Sequence, residues 1–255
     1  MPSRLEVIAV PGLPMVQAGD DLPDLILAGL DRAGLVLQAR DVVVIAQKIV
    51  SKAEGRVVDL AEVKPSAQAI ALAAQVGKDP DIVEVVLSES AKVVRSRPNL
   101  LIMQHRLGFV MANAGVDQSN VAEYDGNRRA LLLPVDPDGS AATIRSRLMA
   151  ACHVDLGVII SDSFGRPWRR GTAGVAIGCA GLPSLIDLRG QPDLFGRTLE
   201  VSIVGFADEI AAAASLLQGQ AAEAQPVIIV RGLAWQAPDA PVADVIRPPE
   251  EDLFQ

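Results

Sequence analysis

The sequence predicts an α+β fold of mixed sheets with packed helices. Three observations carry this. Half of the 255 residues are apolar but only 3% are aromatic, so the core is built from Val, Ile, Leu and Ala. Hairpin-like pairs of apolar runs mix with helical patterns instead of alternating with them in a regular βαβ series. No repeat of roughly 20 to 50 residues recurs. A chain of this length buries a sizeable core as one large domain or two small interlocked ones. No linker long enough to separate independent domains interrupts it. The expected organisation is one unit over residues 1–240, with room for two interlocked subdomains, and a tail over 241–255.

Taken in order, "LEVIAV" reads as a first strand broken by "PGLP". Asp20 or Asp21 then caps a helix through "LPDLILAGLDRAG" that ends at Gly34. "DVVVIAQKIVS" is dense enough in Val and Ile for a second strand buried on both faces. If that strand runs to its end, alternation puts Lys48 and Lys52 on one face. "SAQAIALAAQVGKDP" is an alanine-rich helix stopped by Gly77 and Pro80, and "DIVEVVLSES" continues as another. "NLLIMQHRLGFVMANAGVD" reads as two strands joined by a turn at "QHR". A helix through "AATIRSRLMAAC", capped from Ser140, precedes the strand "LGVIISDS". "FADEIAAAASLLQ" is a helix closed by Gly219, and "PVIIVRG" is a late strand. The final stretch, with four prolines and an acidic run, reads as a surface extension or a partner-facing arm.

The bulk properties narrow the functional classes. A net charge of -8 argues against non-specific nucleic-acid binding, although a local basic cluster can still hold an anion. Cys152 and Cys179 form no CxxC pair and no disulfide framework, which fits a reducing cytoplasm. The opening residues lack the apolar stretch of a signal peptide, and nothing approaches the ~20 apolar residues that cross a bilayer. A cytoplasmic protein without membrane contact is expected.

Three strand ends gather polar chemistry, as functional edges do. The first carries Lys48, Ser51, Lys52, Glu54 and Arg56, and is either a site or a solvated strand exit. "ANAGVDQSN" presents Asp117, Ser119 and Asn120, in a site or in a plain Asx turn. "SDSFGRPWRRG" places Asp162 and Ser163 at the end of a buried strand, followed by Arg166, Arg169 and Arg170. Should Asp117 and Asp162 converge to ~5 Å, they repel by about 3 kcal/mol at an effective dielectric near 20. One must then protonate, or a cation must sit between them. Oxygen ligands without a Cys and His cluster select Mg²⁺ or Mn²⁺ over structural zinc. Such an ion completes its shell with water and phosphate oxygens, which implies a nucleotide. Yet no GxxxxGKS/T loop and no GxGxxG after a strand supplies a phosphate cradle. Gly171, Gly174, Gly178 and Gly181 serve either close packing or approach to an anion. In "LLQGQAAEAQP", Gln218 and Gln220 bracket Gly219 at a helix end.

Together, "PGLP", "IVSKAEGRVVDL", "ANAGVDQSN", "ISDSFGRPWRRGTAGVAIG" and "ADEIAAAASLLQGQ" resemble the coenzyme F420-0:L-glutamate ligase family, in the same order from about Leu5 to about Gly232. The resemblance implies an α+β architecture of its own, an intertwined homodimer with nucleotide sites near the interface, GTP, and two divalent cations, Mg²⁺ or Mn²⁺. Position by position, Asp117 and Asp162 match the ligands of one metal, and Ser163 and Gln220 serve the second. Pro11, Gly12, Leu13, Pro14, Lys52 and Asn120 match GTP contacts, as do Gln218, Gly219, Gln220, Ala221, Ala222, Glu223, Ala224 and Gln225. Gln47, placed with the nucleotide contacts, stands where some relatives carry a small hydroxyl residue. The implied reaction is amide formation: the terminal carboxylate of F420-0 attacks the γ-phosphate of GTP, and the amine of L-glutamate displaces phosphate from the acyl phosphate. A second glutamate then joins through a γ-linkage. Arg169 and Arg170 are expected to meet the substrate anions. Some relatives are fused to a flavin-binding nitroreductase-like domain, whereas here the ligase unit is expected alone. Two alternatives stay open: a ligase acting on another acidic acceptor, and a non-catalytic dimeric scaffold that keeps the site.

Overall fold

A computed structural model of the chain describes residues 4–119 and 128–253. In chain order, β1 (Glu6–Ala9) leads to α1 (Leu22–Ala33), β2 (Val42–Ala46) to α2 (Gln47–Ala53), and β3 (Val57–Asp59) to α3 (Ala67–Val76) and α4 (Pro80–Ser88). Next come β4 (Ser90–Arg97), β5 (Leu100–His105), β6 (Val110–Ala112) and β7 (Arg129–Leu131). The last elements are α5 (Pro137–Cys152), β8 (Gly157–Arg166), β9 (Arg169–Ala180), β10 (Ile186–Asp187), β11 (Ile203–Val204), α6 (Phe206–Gln218) and β12 (Val227–Arg231). The class is mixed α and β, as expected.

The main sheet has the order β1-β12-β2-β8-β9. Only β2 and β8 run parallel, and the other pairs are antiparallel. Its central strands are continuous apolar runs because both faces are covered. Val43, Ile45, Val158, Ile160, Val227 and Ile229 point to one face, where they meet Ile26 and Leu30 of α1 and Ile144 and Leu148 of α5. Their neighbours Val42, Val44, Ile159, Ile228 and Val230 point to the other, against Phe206, Ile210 and Ala214 of α6. Each such side chain, fully buried, stabilises by about 1.5–3 kcal/mol.

Local chemistry sets the helix ends. Asp21 caps α1 by accepting from the Asp24 N–H at 3.1 Å, and Gly34 closes it in the left-handed conformation. The cap of α5 is Asp136, which accepts from the Gly139 N–H at 3.0 Å. Ser140, the cap expected from sequence, lies inside the helix, where its hydroxyl donates to the Asp136 carbonyl and to Glu54.

Beside this core stands a second cluster, with Val83 and Val86 of α4 against Leu101 and Met103 of β5. It belongs to the three-stranded sheet β4-β5-β6. Glu89, buried just past α4, binds the two lobes together. Its carboxylate pairs with Arg56 at 2.8 Å and with Arg106, while Arg56 Nε donates to the Leu133 carbonyl at 2.9 Å. Burial pushes the Glu89 carboxyl up, but hydrogen bonds from His105 and Arg106 and the two guanidinium charges outweigh it, so its pKa ends below the ordinary value.

Several expectations need correction. The second strand stops at Ala46, and Gln47–Ala53 is helical, so Lys48 and Lys52 share a face through the i, i+4 spacing of α2. Asp162 and Ser163 lie within β8, which continues to Arg166 and folds back as β9. Strand β4 had no expected counterpart. The tail begins docked: Val242 is fully buried against the α6 face, and its N–H donates to Asp138 Oδ1 at 3.1 Å. Gly174 and Gly178 serve helix packing, since a Cβ at either would stand 2.5 Å from the Ala211 carbonyl oxygen or 2.3 Å from the Pro137 carbonyl carbon. No helix among the described residues is long and apolar enough to cross a membrane.

Candidate functional site

The parallel pair β2 and β8 opens the site. Ala46 lies opposite Ser161, so the start of α2 and the pair Asp162 and Ser163 leave the sheet at the same edge. Ligand sites collect outside the carboxyl ends of adjacent parallel strands. A third segment arrives from the second lobe. Asp117 exchanges backbone hydrogen bonds with Leu131 at 3.0 and 2.8 Å, which fixes its carboxylate beside α2.

The two carboxylates have opposite characters. Burial pushes the Asp117 carboxyl up, but hydrogen bonds from Lys48 and Ser119 and the Lys48 charge outweigh it, leaving the pKa below the ordinary range. The Lys48 ammonium lies 2.6 Å from Asp117 Oδ2, and the Ser119 N–H and hydroxyl each donate to this carboxylate at 2.8 Å. Asp162 is pushed up to about 6 by burial, with the Asp117 charge adding to the rise and the Ser163 N–H and Lys48 opposing it. Lys52 is lowered by burial and by its neighbour Lys48. Burial is thus the main cause of the difference between the two carboxylates, and the charge of Asp117 adds to it.

Two cavities meet at this pair. The larger, about 450 Å³, is walled by Leu13, Pro14, Gln47, Lys48, Lys52, Ser161, Thr172 and the turn after α6 from Gln218 to Ala222, with Ala224 and Gln225. The smaller, about 200 Å³, is walled by Asn113, Gly115, Phe164 and Gly165. Gln47, Asp117, Asp162 and Ser163 border both. A separate hollow of about 570 Å³ between α1, α2 and α5 is lined by Glu54 but by none of the residues expected to bind metal, nucleotide or substrate.

Most of the expected residues therefore come together, and some do not. Pro11 and Gly12 lie outside the cavity walls, with the Gly12 carbonyl accepting from Arg32 at 2.8 Å. Glu223 is also outside; its carboxylate accepts from the Ala221 N–H at 2.8 Å and so shapes the turn that Gly219 begins. Asn120 lies outside the described residues. Arg169 and Arg170 are exposed at the start of β9, beyond both cavities. Ser161 and Thr172 line the larger cavity without having been singled out. Lys48 and Ser119, expected as polar residues at strand ends, also stand at the site, and the Asx turn in which the Ser119 N–H donates to Asp117 Oδ1 coincides with it instead of replacing it.

The donor set fits a hard divalent cation. Asp117, Asp162, Ser163 and Gln220 offer oxygen atoms, and Gln220 Nε2 donates to Ser163 Oγ at 2.9 Å, so those two side chains meet at one point. No group of three or more His, Cys, Asp or Glu side chains that could hold a metal occurs among the described residues. An ion here takes few protein ligands and leaves room for water and ligand oxygens, as Mg²⁺ and Mn²⁺ do.

Residues 12–232 match the family model described as F420-0:Gamma-glutamyl ligase. The chain is similar to a protein of Methanothermobacter thermautotrophicus named Coenzyme F420:L-glutamate ligase, 47% identical over 98% of this chain and 99% of the relative. Proteins of the same name from Methanopyrus kandleri and Methanocaldococcus jannaschii are 44% and 41% identical. These alignments cover 98% and 99% of this chain, and 98% and 97% of the relatives.

Proposed function

The chain belongs to the F420-0:gamma-glutamyl ligase family and is a ligase, and on that premise we propose that it joins L-glutamate to coenzyme F420-0 with GTP as the energy source. The observation that supports this best is the shared wall: four polar residues border both a cavity large enough for a nucleotide and a smaller one beside it. A phosphate in the first and an acceptor in the second would meet at Asp117 and Asp162. The terminal carboxylate of F420-0 attacks the γ-phosphorus of GTP and GDP leaves. The glutamate amine then attacks the acyl carbon, phosphate departs, and the nitrogen loses a proton.

The chain's residues have distinct parts in this proposal. Leu13 and Pro14 offer an apolar wall for the base, Lys52 faces the phosphates, and the Gln218 to Gln225 turn supplies backbone groups around them. Asp117 and Asp162 would hold one cation, and Ser163 and Gln220 the other. When bound, the cations offset negative charge as one anion approaches another. Positioning in the two cavities accounts for much of the remaining acceleration. A cytoplasmic homodimer is part of the same proposal, and the exposed Leu194, Phe195 and Val201 around the β10 and β11 arm offer apolar area to a second copy.

Arg169 and Arg170 are proposed to receive substrate carboxylate or phosphate. Alanine at either is expected to raise the KM for F420-0 or glutamate about tenfold, the size of one lost charged hydrogen bond. Because both are exposed, the melting temperature should stay put. Steady-state kinetics measures the effect, and unchanged KM values would remove the role. The activity itself is tested by incubating the protein with F420-0, L-glutamate, GTP and Mn²⁺ or Mg²⁺ and weighing the product. Addition of one or more glutamyl units is expected. Glutamate-dependent GDP release with a different acid only would reassign the acceptor.

A further inference from the structure

Lys48 makes contacts that the proposed chemistry does not use. Its ammonium lies 2.6 Å from Asp117 Oδ2 and 2.6 Å from Ser119 Oγ, with the Ser119 carbonyl oxygen at 3.4 Å. The Ser119 hydroxyl donates to the same carboxylate oxygen at 2.8 Å, closing a triangle of carboxylate, hydroxyl and ammonium. The Lys48 charge also acts on Asp162, so one tethered cation serves both carboxylates. It is partly shielded from water, its side chain 27% exposed.

An ammonium this close to Asp117 Oδ2 competes with a divalent ion for that oxygen, because the two like charges repel each other across a partly shielded gap. Lys48 has somewhere else to go. It lines the larger cavity together with Lys52, one turn further along α2, and a flexible four-carbon stem can carry the ammonium from Asp117 towards that space.

We propose that Lys48 is a built-in counter-cation for the Asp117 and Asp162 pair, displaced by the divalent ion and received by the phosphates of the nucleotide. The proposal rests on the metal and nucleotide roles assigned above. Its consequence is reciprocal coupling: without nucleotide the lysine competes with the ion, and with nucleotide the competitor is drawn away. Lys48 is then a positioning residue that makes the empty site stable and the loaded site cooperative.

The test is Mn²⁺ binding to the full chain, followed by electron paramagnetic resonance with and without a non-hydrolysable GTP analogue. Lys48→Met is expected to bind Mn²⁺ about 10-fold more tightly than wild type when no nucleotide is present. The factor by which the analogue tightens Mn²⁺ binding should fall about 10-fold in the same variant. Lys48→Arg, which keeps the charge, should follow wild type. Ser119→Ala removes one anchor at an exposed position and should shift nucleotide-free binding a few-fold in the same direction as Lys48→Met, which keeps the test open if that variant fails to fold. Mn²⁺ affinities in Lys48→Met and Ser119→Ala equal to those of wild type would overturn the Lys48 proposal alone. No Mn²⁺ binding by wild type, with or without the analogue, would overturn the metal site and the proposal with it.

Discussion

Asp162→Asn is expected to lower turnover by at least about 10³-fold, equivalent to about 4 kcal/mol of lost transition-state stabilisation, while making the cation-free protein more stable at pH 8. The loss follows from removing a carboxylate proposed to hold the cation. The gain follows from the raised pKa of that carboxyl, about 6 against an ordinary 3.8. Below about pH 3 the group is protonated whether the chain is folded or not, and it has no effect on stability. As pH rises towards 6 the unfolded chain sheds the proton first, and the fold is penalised by up to about 3 kcal/mol from there upward. An asparagine carries no such penalty. At about 2–4 °C per kcal/mol for a chain of this size, the variant should melt roughly 6 to 12 °C above wild type at pH 8 and nearly level with it at pH 4. Calorimetry in the presence of a chelator measures both values. A lower melting temperature at pH 8 would mean that the ionised carboxylate stabilises the fold.

Gly178→Ala is expected to cost more than about 3 kcal/mol, at the upper end of what overpacking does. The new Cβ would stand 2.3 Å from the Pro137 carbonyl carbon and 2.4 Å from its oxygen, and these are backbone atoms of the first turn of α5. That turn cannot retreat freely. Asp136 caps it, and Asp138 accepts from the N–H groups of Cys179 at 2.7 Å and Val242 at 3.1 Å. Gly171 provides the control. A Cβ there meets nothing within 4 Å, and its φ of +86° leaves only a backbone penalty of about 1–3 kcal/mol. Urea denaturation compares Gly178→Ala with Gly171→Ala, and equal losses would contradict the packing role of Gly178.

These two positions show what the sequence made legible. Helix ends are plain where a glycine has one strong local preference, as at Gly34, Gly77 and Gly219, while Asp20 and Asp21 both suit the start of α1 and the structure selects Asp21. The α5 cap was misplaced because Asp136 and Ser140 are both good N-caps one turn apart, and Pro137 in the first turn favours the former. The run from Val42 to Val50 is apolar enough for a strand or a buried helix, and only parallel pairing with β8, which ends at Ala46 opposite Ser161, divides it. Strand β4 carries mostly exposed polar side chains and two irregularities in register, so it lacks the alternation by which strands are recognised.

The site was legible in its residue types and not in its geometry. Oxygen ligands at Asp117 and Asp162 without a Cys and His cluster pointed to a hard cation, and both line the same two cavities. That Lys48 stands at Asp117 could not be read from a distance of 69 positions along the chain, because the contact depends on Asp117 pairing with Leu131 from the second lobe. Gly174 and Gly178 of β9 belong to helix packing, a role that appears only once α6 and α5 lie across the sheet, whereas Gly171 meets nothing within 4 Å.

Everything proposed about catalysis turns on a cation at the wall between the two cavities. Crystals of the protein grown with Mn²⁺ and a non-hydrolysable GTP analogue, with data collected at the manganese absorption edge, test this most directly. An anomalous peak in contact with Asp117 and Asp162, with the terminal phosphate of the analogue in the larger cavity beside it, is the expected result. A bound analogue with no manganese at that carboxylate pair would contradict it.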